Sequence, residues 1–558
     1  MTPLHSKVSR TLPLLLLFCS WGCPAAPPGG EGDGLSPSEA EGRVDLYALT
    51  PAAPVEDPAL FVLAGDGIQH EHLLQYSTDD RWLDDYGGGM AAMDCDGDGD
   101  IDLFFTVSLG EDRLYRNLGD GRFEEVSDAL PELTGVSTAA TAADFDNDGD
   151  PDLLVLSQHS SNALLVNQGD CRFEDGTEEA GLTGSSRSVH ASWVDLDRDG
   201  WLDLYVTNWA EPSPDGPVGL APVAQADRFW RSRGDGTFAD HSADLPDASR
   251  ESLGMVTGFF DYDQDGDADL LMSNDRGILF GPHRLFRNGG QDDDGGFLLE
   301  DATTETGFDL EMNGMGLALS DIDGDEDVDV LLTGNFETIL QWQEPGLYIE
   351  SGLALGLNNY DPDVVSWAGI FLDADADGDE DLYFVQSSVF PHGFFDVQTY
   401  GRTPLFFRND IRSEGRFNPV AFDGAGADEQ VTRSLLAEDF DGDGLPDVAH
   451  GNVQSVPRVL RTSPAGAGSV LVVELQGSRS NRDGRGAVVR VHAQDGVQTR
   501  WVGAVEPFGS GSSLRAYFGL GDAQEADRIE VLWPSGIHQD IGAQPTGYRI
   551  RITEPDPG

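Results

Sequence analysis

The chain has 558 residues, and its 100 Asp+Glu against 33 Lys+Arg leave a formal charge of −67. A surface so acidic repels phosphate, which excludes nucleic-acid binding through a basic face and docking on anionic lipid through a polybasic patch. High net charge favours disorder, but 39% hydrophobic residues with 28 Phe and 10 Trp argue for an organised core.

Residues 1–23 read as an export signal. Lys7 and Arg10 precede the apolar run Leu12–Phe18, and small Ser20 and Gly22 follow. The run is too short to span a bilayer. Gly22-Cys23 resembles the end of a bacterial lipobox, with Ser20 where Leu is usual and bulky Trp21 beside it. That resemblance implies lipidation of Cys23; plain secretion with cleavage near Ala25 or Ala26 is the alternative. Either way the mature chain is expected outside the cytoplasm, as a cell-surface or outer-membrane lipoprotein or a secreted protein. Residues 24–57, rich in Pro, Gly, Ala and Glu, predict a flexible linker. Cys19 and Cys23 belong to the signal, so Cys95 and Cys171 remain. Export permits a bridge between them. They lie in different repeats, and two separate buried thiols are expected.

From residue 94 onward one pattern, D-x-D-x-D-G-x-x-D, recurs seven times at intervals of 50 to 66 residues. The first copy places Asp94, Asp96, Asp98, Asp100 and Asp102 at odd positions, and the second Asp144, Asp146, Asp148, Asp150 and Asp152. The third has Asp195, Asp197, Asp199, Trp201 and Asp203. The fourth has Asp261, Asp263, Asp265, Asp267 and Asp269, and the fifth Asp321, Asp323, Asp325, Asp327 and Asp329. The sixth has Asp373, Asp375, Asp377, Asp379 and Asp381, and the seventh Asp439, Asp441, Asp443, Leu445 and Asp447. Only the fifth breaks the pattern at position 6, with Glu326 in place of Gly.

Ca²⁺ takes about six to eight oxygens in flexible geometry. Alternate carboxylates in a tight loop point at one centre. Gly at position 6 allows the turn, the carbonyl of position 7 adds an oxygen, and Asp at position 9 closes the site. Oxygen-only donors suit Ca²⁺; Mg²⁺ demands stricter octahedral geometry, and a soft metal would want Cys or His. Up to seven Ca²⁺ ions are therefore expected. A solvated Asp-Gly turn explains one copy of such a loop but not seven in register. An EF-hand would carry Glu at position 12, where these copies have Phe105, Val155, Val206, Met272, Leu332, Phe384 and His450. Glu326 predicts that the fifth site is the weakest, or that its loop relaxes and Glu326 itself ligates.

Short apolar runs such as Leu103-Phe104-Phe105 follow each loop, and small residues such as Thr138-Ala139-Ala140 precede it. Each loop thus joins two strands. A third strand (Arg113-Leu114-Tyr115-Arg116-Asn117), a Gly-Asp turn (Gly119-Asp120-Gly121) and a fourth strand at Phe123 complete the repeat. Four strands per repeat, seven times, predict an all-β fold: a seven-bladed β-propeller over 58–466 with Ca-binding hairpin loops. The seventh repeat lacks its fourth strand, so residues near 59–64 are expected to close the ring. The loops with their N-x-G-D-G-x-F turns resemble the FG-GAP/VCBS repeats of integrin-α-type propellers, which implies metal loops on one face of the disc.

Residues 467–555 alternate apolar and polar, as in Val470-Leu471-Val472-Val473-Glu474-Leu475, and predict a small β domain. Ser480-Asn481-Arg482-Asp483-Gly484-Arg485-Gly486-Ala487, Phe518-Gly519-Leu520-Gly521 and Val531-Leu532-Trp533-Pro534-Ser535-Gly536 together resemble the ASPIC/UnbV domain of cartilage-acidic-protein-like bacterial proteins. Arg485 stands where that pattern has an apolar residue. The resemblance implies an extracellular binding or adhesion module and supplies no catalytic mechanism.

Function is read accordingly as an exported calcium-binding module for an unknown protein or glycan, touching membrane only through a lipid anchor. The chain has 11 His, and none has triad or metal-ligand context; there is no G-x-S-x-G, phosphate loop or H-E-x-x-H. No catalytic residue is expected. A polysaccharide-active enzyme built on the propeller, and a passive acidic calcium-binding surface protein, are the alternatives.

Overall fold

The computed structural model describes residues 42–50, 61–64, 67–70 and 88–556, apart from 109, 159, 185–186, 212–222, 292–295, 336–337, 345, 358–363, 392–396, 422–427, 454, 464–467 and 495. The export signal, Cys23 and most of the expected linker lie outside the described residues.

The second repeat shows how sequence becomes blade. Ser137–Ala143, Asp152–Ser157, Ala163–Asn167 and Phe173–Asp175 form one antiparallel sheet in chain order. The first two strands are wholly buried, the third partly, and in the fourth only Phe173 is buried. The small side chains of Ser137–Ala143 let it crowd its neighbours at the centre, while the outer strand faces water on one side. Equivalent sheets begin at Met90–Met93, Ser188–Val194, Gly254–Phe260, Gly314–Ser320, Val364–Leu372 and Thr432–Glu438. These first strands touch one another in cyclic order, the last returning to the first. The architecture is a β-propeller, and each of its sheets carries one acidic loop between its first and second strands.

The sheet of the last repeat takes its fourth strand from the N-terminal side, as the missing strand predicts. Phe61–Ala64 pairs antiparallel with Arg458–Thr462. Phe61 also packs edge-on against Tyr383 and Phe406, with ring centroids at 5.3 and 5.4 Å.

The C-terminal segment forms two four-stranded sheets around a core that includes Val489, Ile529, Trp533 and Ile550. One holds Gly496–Trp501, Val488–Ala493, Glu525–Leu532 and His538–Pro545. The other has the order Val44–Ala48, Tyr548–Thr553, Val470–Gln476, Ala516–Gly519. This corrects the linker expectation. Val44–Ala48, inside the stretch expected to be flexible, is an edge strand paired with Tyr548–Thr553. Its apolar Val44 packs on the C-terminal core, a partner too remote in the chain for composition to reveal.

The C-terminal domain seats on the acidic loops. Arg515 Nη2 and Arg549 Nη1 both donate to the Gly99 carbonyl, at 2.7 and 2.6 Å. Thr50 N donates to Gly442 O at 2.7 Å, and Gly521 N to Ala376 O at 3.0 Å. A loop of this domain enters the ring: Ala504 O accepts from Phe259 N, Phe508 packs on Trp367 at 5.9 Å, and Ser510–Gly511 pairs with Met90 and Ala91. Arg485, the departure from the family pattern, is buried here. It pairs with Glu506 at 2.9 Å and donates to Ala142 O of the second blade at 2.7 Å.

Candidate metal centre

Every loop folds on its own first carboxylate. The Oδ2 of the first Asp accepts the backbone N–H of position 6 in all seven copies, from Gly99 on Asp94 at 3.0 Å to Gly444 on Asp439 at 2.8 Å. The Asp at position 5 then accepts the N–H of position 7, as Asp98 does from Asp100 at 2.9 Å. This spends side-chain oxygens on the turn and leaves the position 7 carbonyl free of it.

The fifth loop keeps the same turn in spite of Glu326. Glu326 N donates to Asp321 Oδ2 at 3.1 Å with φ +71°, where the other six have Gly at φ +90° to +105°. The side chain turns outward, its Oε2 3.4 Å from Arg490 Nε. The loop has not relaxed to make Glu326 a ligand. Position 4 is also left-handed in every copy: Gly97, Asn147, Arg198, Gln264, Gly324, Ala376 and Gly442. The consensus hides this requirement, because the residue type there varies.

Position 3 is held from outside. Arg116, Arg231, Arg287 and Arg461, on the third strands, pair with Oδ2 of Asp96, Asp197, Asp263 and Asp441. In the fifth repeat Gln341 Nε2 reaches Asp323 Oδ2 at 3.3 Å. The other oxygen, Oδ1, of Asp197, Asp263, Asp323, Asp375 and Asp441 is buried with no hydrogen-bond partner among the described residues. A buried acceptor without a donor is costly, and a cation removes the cost. Carboxylate oxygens of Asp94, Asp96 and Asp102 lie within 4.8 Å of one another, as do those of Asp144, Asp146 and Asp152. In the third and fourth loops Asp195, Asp197 and Asp199, and Asp261, Asp263 and Asp265, converge in the same way. An all-oxygen donor set with unpartnered inward lone pairs fits a hard divalent cation.

Position 9 has a second task. Asp102 accepts from Cys95 N at 2.9 Å and from Asn117 N at 2.8 Å, clamping the loop to the third strand. Asp269 and Asp447 make the same pair of bonds. Burial, reinforced by neighbouring loop carboxylates, drives these groups up. The first-position carboxyls rise to about 6 in Asp94, Asp261, Asp321 and Asp439, about 7 in Asp195 and about 8 in Asp144 and Asp373. Asp102 and Asp269 rise to about 8 and Asp152 to about 9.

Blades are joined through position 2. Asn117 Nδ2 donates to Phe440 O at 2.9 Å, Asn167 Nδ2 to Cys95 O at 3.0 Å, and Asn409 Nδ2 to Ile322 O at 2.9 Å. Each crosses to the preceding loop. The Arg-Asn pairs 116–117 and 287–288 were the available signal for both devices, and Asn409 for the second alone. The same seam corrects the cysteine expectation. Cys95 and Cys171 form a disulfide with Cα atoms 4.7 Å apart. Cys95 is position 2 of the first loop, and Cys171 lies in the Gly-Asp turn of the next blade, whose N–H already donates to Cys95 O at 3.1 Å. Residues of different repeats thus become neighbours because the blades are adjacent.

A family model for FG-GAP-like repeats matches residues 94–155 and 144–206, and one for ASPIC and UnbV matches 477–558. The chain carries FG-GAP-like repeats and an ASPIC/UnbV domain. Cartilage acidic protein 1 of Mus musculus is 25% identical over 394 residues, covering 66% of this chain and 55% of that protein. That of Homo sapiens is 26% identical over 374 residues, covering 63% and 51%. The chain spans about half the length of these curated relatives. The crystal structure of BBS1N in complex with ARL6DN, soaked with lead, aligns at 10% identity and a TM-score of 0.40, over 73% of this chain and 98% of that one.

Proposed function

We propose that this FG-GAP protein is an exported, calcium-loaded binding module that presents a rigid disc to a protein or glycan. The observation that carries the reading is the row of buried, unpartnered Oδ1 atoms at position 3, each beside further carboxylates in a prefolded loop. The first, third, fifth and ninth residues and the position 7 carbonyl would hold Ca²⁺, which supplies the positive charge those oxygens lack. Third-strand arginines hold four of the position 3 carboxylates in orientation. The Cys95–Cys171 disulfide supports folding in an oxidising compartment, and with it export. Attachment through Cys23 remains part of the proposal; release of a Cys23→Ser variant from membranes tests it.

Metal analysis of the purified protein should find several Ca²⁺ per chain, removable by chelator. Capture of a partner from outer-surface material should depend on calcium. A protein that retains no calcium at millimolar levels would overturn the reading. Capture that persists unchanged after chelation would separate binding from the loops.

A further inference from the structure

Between the third, fourth and fifth loops and the C-terminal domain lies a cavity of ≈ 390 Å³, within the size range of small-molecule sites. Its walls depart from the repeat pattern in a concerted way. Arg198 and Gln264 occupy position 4 of the third and fourth loops, and Glu326 occupies position 6 of the fifth. All three hold left-handed backbone, at φ +56°, +60° and +71°. At position 4 the other loops have Gly, Ala or Asn, and at position 6 they have Gly. Long polar side chains at these strained positions therefore occur only around this cavity, and strain of this kind concentrates at functional sites.

The side chains form a wall of paired donors and acceptors. Gln264 Nε2 donates to Asp327 Oδ1 at 3.0 Å, Arg198 Nη2 is 2.7 Å from Asp267, and Arg490 Nε is 3.4 Å from Glu326. Half-buried Trp501 lines the cavity, and so does Trp193, 2% exposed, whose Nε1–H has no hydrogen-bond partner among the described residues.

We propose that this cavity binds a neutral sugar unit of a glycan. The assignment rests on the binding-module reading and gives it a site. A hydroxyl both donates and accepts, so the hydroxyls of one ring can bond to the Glu326 and Asp327 carboxylates and to the Arg490 guanidinium of the same wall. Its C–H face suits an indole such as that of Trp501. An anionic ligand would meet the carboxylates, and a purely apolar one would desolvate them without replacement.

The test uses the full-length, calcium-loaded protein, titrated with cellobiose, maltose and chitobiose, with digalacturonate as the anionic control, followed by tryptophan emission and calorimetry. At least one neutral disaccharide should bind, and Glu326→Gly and Arg490→Met should each weaken it about tenfold or more. Melting curves and calcium content verify that both variants are folded and loaded. No neutral binding up to about 10 mM, or preference for digalacturonate, overturns the proposal. Sugar binding unchanged in both variants overturns this site while leaving the binding-module reading intact. Failure of that reading shows separately, as wild-type protein without calcium.

Discussion

Glu326 shows what one residue does against a repeat. Its backbone keeps the φ +71° turn that the other loops entrust to Gly. A non-Gly residue held there costs about 1–2 kcal/mol. Its ion pair with Arg490 is half-exposed and returns little of that. Glu326→Gly should therefore raise the melting temperature. To the extent that calcium completes the turn, it should also tighten the fifth site by up to about 5–30-fold. Calorimetric calcium titration checks this, and weaker binding would make Glu326 a ligand after all. The disulfide is the other single-residue lever. It closes a separation of 76 residues across the first two blades, and its loss typically costs about 2–4 kcal/mol. Cys171→Ser should lower the melting temperature without changing the calcium stoichiometry, since neither sulfur belongs to a loop's donor set.

At the scale of the element, ring closure depends on one short strand. Phe61–Ala64 supplies the outer edge of the last sheet, and buried Phe61 touches Tyr383 and Phe406 of the sixth. Phe61→Ala removes a buried aromatic side chain, a change worth about 3–5 kcal/mol. Deleting residues 42–64 also strips the edge strand Val44–Ala48 from the C-terminal sheet. Two bare edges should make the truncated protein self-associate, which light scattering would detect. A monomeric truncated protein with unchanged stability would refute the closure role.

For the whole molecule, the calcium proposed for the loops would compete with protons for the same oxygens. In metal-free protein the first-position carboxyls, and Asp102, Asp152 and Asp269, have folded pKa values of about 6 to 9 against an ordinary 3.8. A raised carboxyl stabilises the folded state below pH 3.8, and that stability is lost as pH rises through the folded values. Chelated protein should thus melt lower at pH 8 than at pH 5. Buried His190, His283 and His450, lowered by burial to about 3 to 4, act oppositely below pH 6.5 but are outnumbered. Calcium bound as proposed would release the protons, so a calcium-induced rise in melting temperature should grow from pH 5 to pH 8. At tenfold excess over Kd each proposed site would add about 1.4 kcal/mol, roughly 10 kcal/mol if all seven bind independently. A melting temperature indifferent to chelator at pH 8 would sink this account.

The loops, their strands and the missing outer strand were legible in the chain because each is local. Odd-numbered carboxylates, Gly at the turn and runs of period 2 act within a few residues of one another. Even the closing strand followed from a count of what the last repeat lacked. Contacts across blades and domains left no such mark. Cys95 meets Cys171 because consecutive blades touch at position 2, Val44–Ala48 finds its partner some 500 residues downstream, and Arg485 is buried because the C-terminal domain lands on the loop face. The cavity around Arg198, Gln264 and Glu326 belongs to the same class. Each residue looks like an isolated lapse from the consensus, and only the ring, by setting three loops side by side beneath the C-terminal domain, puts them in one wall.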